Sequence, residues 1–131
     1  MSKVMQQWLI ALVVVLGLLF SQHSALAADD SKQLREMAAN HCGACHTFVK
    51  GEPHGQGPNL FAIIGREAGT AFGFNYSEAF KKAMKGQTWD ANLLDRWLTD
   101  TQTVAPGTGM TYFQDDASTR KKLIRYLESL Q

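Results

Sequence analysis

Residues 42 to 46 read Cys-Gly-Ala-Cys-His, and no other stretch restricts the fold of this chain so tightly. Two thiols three positions apart, just after a helical pattern, can both reach one edge of a flat macrocycle. The imidazole that follows is then carried beneath its centre. That spacing is the one used for covalent haem attachment, with two thioether tethers (Cys42, Cys45) and one axial ligand (His46) supplied by a single turn of chain. A bare Cys-x-x-Cys is less specific, because a dithiol site has no need of a histidine directly after its second cysteine. The run alone leaves two other readings open. A disulfide or redox pair of thioredoxin type calls for β-rich surroundings, and a zinc site calls for four ligands, for which His41 and His54 are the nearby candidates.

The first 27 residues have a different character. Lys3 stands in a short basic lead, Trp8 to Phe20 is apolar, Ser21 to Ser24 is polar, and Ala25-Leu26-Ala27 has a small-x-small pattern. This is the layout of a secretory signal peptide, expected over residues 1–27 and cleaved after Ala27, with the functional domain over 28–131. An apolar stretch this short does not span a hydrocarbon core that takes about 20 helical residues, although a retained anchor extended through its polar flanks is the alternative. Export has a chemical consequence. In an oxidising compartment the cysteine pair would tend to close, so haem must be attached while both thiols are reduced.

The full chain carries 13 basic and 12 acidic residues. Loss of the leader removes Lys3 and leaves the domain formally neutral. Neither nucleic acid nor a strongly anionic membrane is indicated as a partner, since both require clustered basic residues. About a hundred residues make one small domain with a poor ratio of core to surface, and a haem would supply the apolar centre that such a chain lacks.

The domain shows short helical patterns separated by glycine-rich connections and no runs of β-branched residues. Asp30 with Gln33 is placed to cap a first helix on which Leu34, Met37 and Ala38 share a face leading to Cys42. Pro58 to Ile64, with Gly65 as the stop, predicts one or two helical turns. Ser77 caps a third piece ending at Gly86. Asp90 opens a fourth with Leu93, Leu94, Trp97 and Leu98 at helical spacing. A last helix, starting near Ser118, aligns Leu123, Ile124, Leu127 and Leu130. The fold class expected is all-α.

From about Gln33 to Leu130 the sequence resembles the monohaem class I cytochromes c, close to the soluble bacterial carriers and the mitochondrial protein. The motifs occur in that family's order: Cys42 to His46; Gly57-Pro58-Asn59-Leu60 leading to Gly65-Arg66; Tyr76-Ser77; Trp89 opening a helix; Pro106-Gly107-Thr108-Gly109-Met110; and Leu123-Ile124-Arg125-Tyr126-Leu127. The resemblance implies four to five short helices wrapped around one haem c. It also implies Met110 as the second axial ligand. A thioether is a soft, neutral ligand that favours reduced iron and raises the potential when paired with an imidazole. Read without the resemblance, a methionine is more often apolar filling, and Met37 and Met84 are taken as such.

The resemblance further implies a set of supporting residues. Pro58 would offer its carbonyl to the free ring N–H of His46. Arg66, Tyr76, Trp89 and Thr108 match positions whose donors hold the haem propionates, and Trp97 stands where a tyrosine hydroxyl normally approaches the methionine sulfur. His54 matches a histidine that ties two loops together. The chain also departs from the family pattern. Leu34 and Ala38 reverse the usual small and large residues on the first helix, Tyr126 is kept on the last, and Phe80 replaces a polar residue beside the haem. The lysines that ring the haem edge in mitochondrial-type members are absent, their positions holding His41, Gly55, Gln102, Thr103 and Gly109, with Asp115 and Asp116 following.

With both axial positions filled, no catalytic residue is required, and one-electron transfer at the haem edge is the function expected. Partners implied are redox proteins, a cytochrome bc-type complex as donor and a terminal oxidase or other reductase as acceptor, met by a periplasmic monomer whose only tie to the membrane is through those complexes. Docking is expected to rest on an apolar patch including Tyr112 and Phe113 and to depend weakly on salt. Two alternatives stand beside this: a peroxidase-like haem enzyme or small-ligand sensor with a displaceable Met110, and a tightly held subunit of a dehydrogenase.

Overall fold

The computed structural model describes residues 28–131. The expected leader, residues 1–27, and its cleavage after Ala27 lie outside them. Contacts divide the chain after Gln33, and Leu34–Gln131 forms a compact unit of its own. Five helices occur among the described residues: α1 (28–42), α2 (Glu78–Ala83), α3 (Ala91–Thr99), α4 (Thr101–Val104) and α5 (Ala117–Glu128). No strand forms among them, and only two isolated bridges, Glu67 with Thr88 and Asp100 with Phe113, interrupt the helix-and-turn pattern. The all-α expectation therefore holds.

Side-chain caps set most of the helix starts. Ser77 Oγ accepts from Phe80 N to open α2, and Asp90 Oδ1 accepts from Leu93 N at 2.7 Å to open α3. Asp116 receives both Ser118 N and Thr119 N at the head of α5. Each such bond satisfies an N–H that the helix itself leaves without a partner. The capping residue expected for α1 is corrected. The chain is already helical at residue 28, so Asp30 lies inside the helix, and Gln33 Nε2 donates instead to Asp29 Oδ2 at 2.7 Å.

A second correction concerns Pro58 to Ile64, which forms turns and no helix. Its backbone groups are committed to distant partners. The Pro58 carbonyl accepts from His46, Asn59 N donates to His54 Nδ1, Leu60 N to Thr47 O and Ala62 N to Leu130 O. Ala62 N and Pro58 O, the pair that would make the first i to i−4 bond of such a helix, are therefore both taken. Ala62 takes a positive φ of 50° in making its bond to the chain's C-terminal end. Asn59, missed in the sequence, is the hub of this loop. Its amide donates to Thr47 Oγ1 and the carbonyls of Val49 and Glu52, while its Oδ1 accepts from Phe61 N.

The core joins the helices around one centre. Leu34 and Ala38 of α1 share a buried cluster with Leu123, Ile124, Tyr126 and Leu127 of α5, so the reversed residues on α1 still belong to the same packing as Tyr126. α5 also packs on α3, whose Leu93, Leu94, Trp97 and Leu98 are all buried. Burying each such leucine contributes about 1.5–3 kcal/mol.

Candidate haem site

The five-residue run is shaped by the end of α1. Gly43 N closes the helix on Ala39 O at 3.0 Å, and then Cys45 N and His46 N both donate to Cys42 O, at 3.1 and 2.9 Å. This double turn aims Cys42, Cys45 and His46 into one cavity of about 560 Å³. A Cβ at Gly43 would lie 2.6 Å from the Ala39 carbonyl oxygen, so the helix can close this tightly only at glycine.

His46 is fixed from two sides. Its Nδ1 lies 2.7 Å from the Pro58 carbonyl oxygen, which can only accept, so Nδ1 carries the proton and Nε2 keeps its lone pair. Burial lowers the imidazole below the ordinary histidine value, with the Pro58 carbonyl acting in the opposite sense. The ring also lies against Gly57, where a Cβ would come 2.2 Å from Cε1. A neutral imidazole oriented through its Nδ1–H is the form a metal ligand takes.

All ten residues expected at the site border this cavity: Cys42, Cys45, His46, Pro58, Arg66, Tyr76, Trp89, Trp97, Thr108 and Met110. Arg66 and Trp89, well apart in sequence, are brought together by specific backbone pairings. Trp89 N donates to Arg66 O at 2.9 Å and Gly65 N to Trp89 O at 2.8 Å, which sets those two side chains together. Arg66 is further tied down by donation to Asn59 O at 3.1 Å. Burial pushes the Tyr76 phenol up, against the opposing effects of the Ala71 backbone and the Arg66 charge, and keeps it a neutral donor.

One wall is aromatic. Phe80 stacks on Tyr76 with centroids 4.9 Å apart and meets Trp97 edge-on at 5.4 Å, while Trp89 and Trp97 contact each other at 5.8 Å. These rings make a dry lining of the kind that disfavours extra positive charge on an enclosed metal. His54 lies away from the cavity and ties loops, with Nε2 to Phe72 O at 2.8 Å and Nδ1 accepting from Asn59 N.

The donor set fits a covalently held haem and does not fit the alternatives. A redox dithiol needs a lowered thiol pKa, whereas burial, reinforced by the Cys45 charge, pushes Cys42 up to about 11. A zinc site needs four converging ligands. Among the described residues no group of three or more His, Cys, Asp or Glu is placed to hold a metal ion; both His54 nitrogens are engaged, and His41 Nδ1 shares a hydrogen bond with the Tyr112 hydroxyl at 3.0 Å. The cavity lies within the roughly 300–1,000 Å³ typical of cofactor sites. Its chemistry is two thiols side by side, an imidazole with a free lone pair, and a thioether, within an apolar and aromatic shell.

A small helical unit with this shell defines a haem protein of the two-thioether type. Comparison with known proteins then places it. The chain is 41% identical over 102 residues to cytochrome c-550 of Novispirillum itersonii, covering 71% of this chain and 92% of that one. It is 40% identical over 91 residues to cytochrome c2 of Rhodopila globiformis, covering 69% and 83%. A cytochrome c homolog of Bradyrhizobium diazoefficiens is 42% identical over 95 residues, and the chain spans 50% of that protein's length. No family model matches the chain. The chain belongs to the class I monohaem cytochromes c, a family of electron-transport haem proteins. Haem c, attached through Cys42 and Cys45, is its cofactor.

Two residues that sequence reasoning missed hold the methionine loop. Thr101, fully buried, donates through Oγ1 to Met110 O at 2.7 Å and accepts from Tyr112 N at 3.0 Å. Gln102 reaches the same loop through three bonds. Their only sequence signal is the short polar stretch after Asp100.

Proposed function

We propose that this protein is an exported one-electron carrier whose iron is held by His46 and Met110 in both oxidation states. The observation that carries the reading is that the oriented imidazole of His46 and the thioether of Met110 border one cavity with both cysteines. A haem placed there supplies an iron that cycles between ferrous and ferric. The protein fixes its ligands, excludes water with Phe80 and Trp97, and presents propionate donors from Arg66, Tyr76, Trp89 and Thr108. With His46 and Met110 both bound, a haem held here would offer no vacant position for oxygen or peroxide, so no catalytic residue is assigned.

Release into the periplasm after cleavage at Ala27 suits such a carrier. No helix among the described residues is long and apolar enough to cross a membrane. The partners proposed are a cytochrome bc-type complex as donor and a terminal oxidase or other reductase as acceptor, reached by diffusion of a monomer. The positions that match the haem-edge lysines of the family carry none, and Phe113, 67% exposed, follows Tyr112, which borders the cavity; both support an apolar docking face. The test is stopped-flow mixing of the ferrous protein with membranes containing a terminal oxidase. Rapid stoichiometric oxidation without added peroxide is expected; turnover only with peroxide would favour the haem-enzyme alternative.

A further inference from the structure

The loop that carries Met110 is packed at Thr108 and Met110 but open elsewhere. Pro106, Gly107 and Gly109 are exposed, Gly107 takes φ +84°, and a Cβ added at Gly109 would meet nothing within 4 Å. Three of its backbone groups turn instead to one side chain. Gln102 Oε1 accepts from Gly107 N at 3.0 Å, and Gln102 Nε2 donates to Thr108 O at 3.1 Å and to Met110 O at 3.0 Å.

We propose that Gln102 is the latch of the Met110 loop: a positioning residue that sets how often the loop opens and so how readily a small neutral ligand reaches the iron. The inference rests on the reading that Met110 ligates that iron. Three bonds from one amide match the loop's two carbonyls and one N–H in number and polarity. No charged side chain can do the same, because an ammonium has no acceptor and a carboxylate has no donor.

The latch is itself anchored. Gln102 N donates to Asp100 Oδ1 at 2.9 Å and Thr103 Oγ1 to Asp100 Oδ2 at 2.8 Å, so α4 is capped on the residue preceding it. Thr101 Oγ1 provides a fourth bond at Met110 O, which holds one end of the loop when Gln102 is lost. Opening is therefore confined to the Gly107–Gly109 arc, and the methionine remains tethered for return.

The experiment uses the ferric holoprotein and imidazole as the incoming ligand, followed by stopped-flow absorbance, with amide hydrogen exchange on the same samples. Gln102→Ala removes all three bonds, and Gln102→Glu keeps the acceptor while losing both donors. Thr119→Ala weakens the α5 cap without touching α4 or the loop and serves as control. Both Gln102 variants are expected to retain the methionine-to-iron charge-transfer band at neutral pH yet bind imidazole at least about tenfold faster than the unmutated protein. The Gly107 amide should exchange faster while the amide of Leu98 in α3 is unchanged. Unchanged imidazole rates, or equal acceleration in Thr119→Ala and at Leu98, would overturn the role of Gln102 alone. Absence of the charge-transfer band from the unmutated protein would instead overturn the Met110 ligation itself.

Discussion

The Nδ1 of His46 donates to the Pro58 carbonyl oxygen across 2.7 Å, and the face of the same ring lies against Gly57. The backbone of one loop thus sets both the tautomer and the tilt of the imidazole. Because a Cβ at Gly57 would fall 2.2 Å from His46 Cε1, Gly57→Ala must push the ring out of place. Overpacking of this kind costs about 1–3 kcal/mol. The variant is expected to melt several degrees lower and to show an altered haem spectrum, whereas Gly51→Ala, where a Cβ meets no atom within 4 Å, should leave the spectrum unchanged.

Replacing Met110 with alanine removes the only thioether placed opposite this arrangement by the proposed ligation. The ferric protein should become high-spin, bind imidazole or cyanide, and fall in reduction potential, since the soft neutral ligand that favours ferrous iron is gone. Met84, 1% exposed in the core, provides the contrast. Met84→Leu should leave the spectrum and potential unchanged.

The segment from Thr99 to Asp116 contains no lysine. Raising the pH of the ferric protein is therefore expected to displace Met110 without producing a lysine-ligated iron. Electron paramagnetic resonance of samples titrated through the mildly alkaline range checks this, and a lysine-ligated signal there would refute it.

The proposed docking through an apolar face has two consequences. The second-order rate of electron exchange with the partner should change little as ionic strength rises, because few charges are brought together. Phe113→Ser should lower that rate by roughly fivefold, the effect of losing an interface residue worth about 1 kcal/mol. A steep fall with salt would contradict the first, and an unaltered rate the second.

Two helix caps bear on stability at the acid end of the pH range. The Thr103 hydroxyl and the Gln102 N–H hold Asp100 below the ordinary aspartate value of 3.8, and the Thr119 hydroxyl and Ser118 N–H do the same for Asp116. A carboxylate depressed in the folded state adds stability above its unfolded pKa and loses it as pH falls through the folded value. Thr119→Ala weakens that bond. Its stability deficit, measured by urea unfolding, should be full above the ordinary aspartate value and narrow as the pH falls below it.

The parts of this fold that were legible in the sequence are those governed by local chemistry. Ser77 and Asp90 announce helices because a cap acts within three residues, and Leu93, Leu94, Trp97 and Leu98 announce a buried face because helical spacing is local. The cavity residues were legible through motif order. Pro58 to Ile64 failed as a helix because its carbonyls and amides are claimed by His46, His54, Thr47 and Leu130, partners that no local window contains. α4 was missed because four residues carry too little periodicity, and with it went Gln102, whose role depends on where Gly107 and Met110 fold back.

The most direct test is a visible absorption spectrum of the purified protein in both oxidation states. The account predicts a low-spin ferric form with a methionine-to-iron charge-transfer band and sharp c-type ferrous bands that denaturation in acidified acetone does not extract. A high-spin ferric spectrum at neutral pH, or haem that leaves with the solvent, would contradict it.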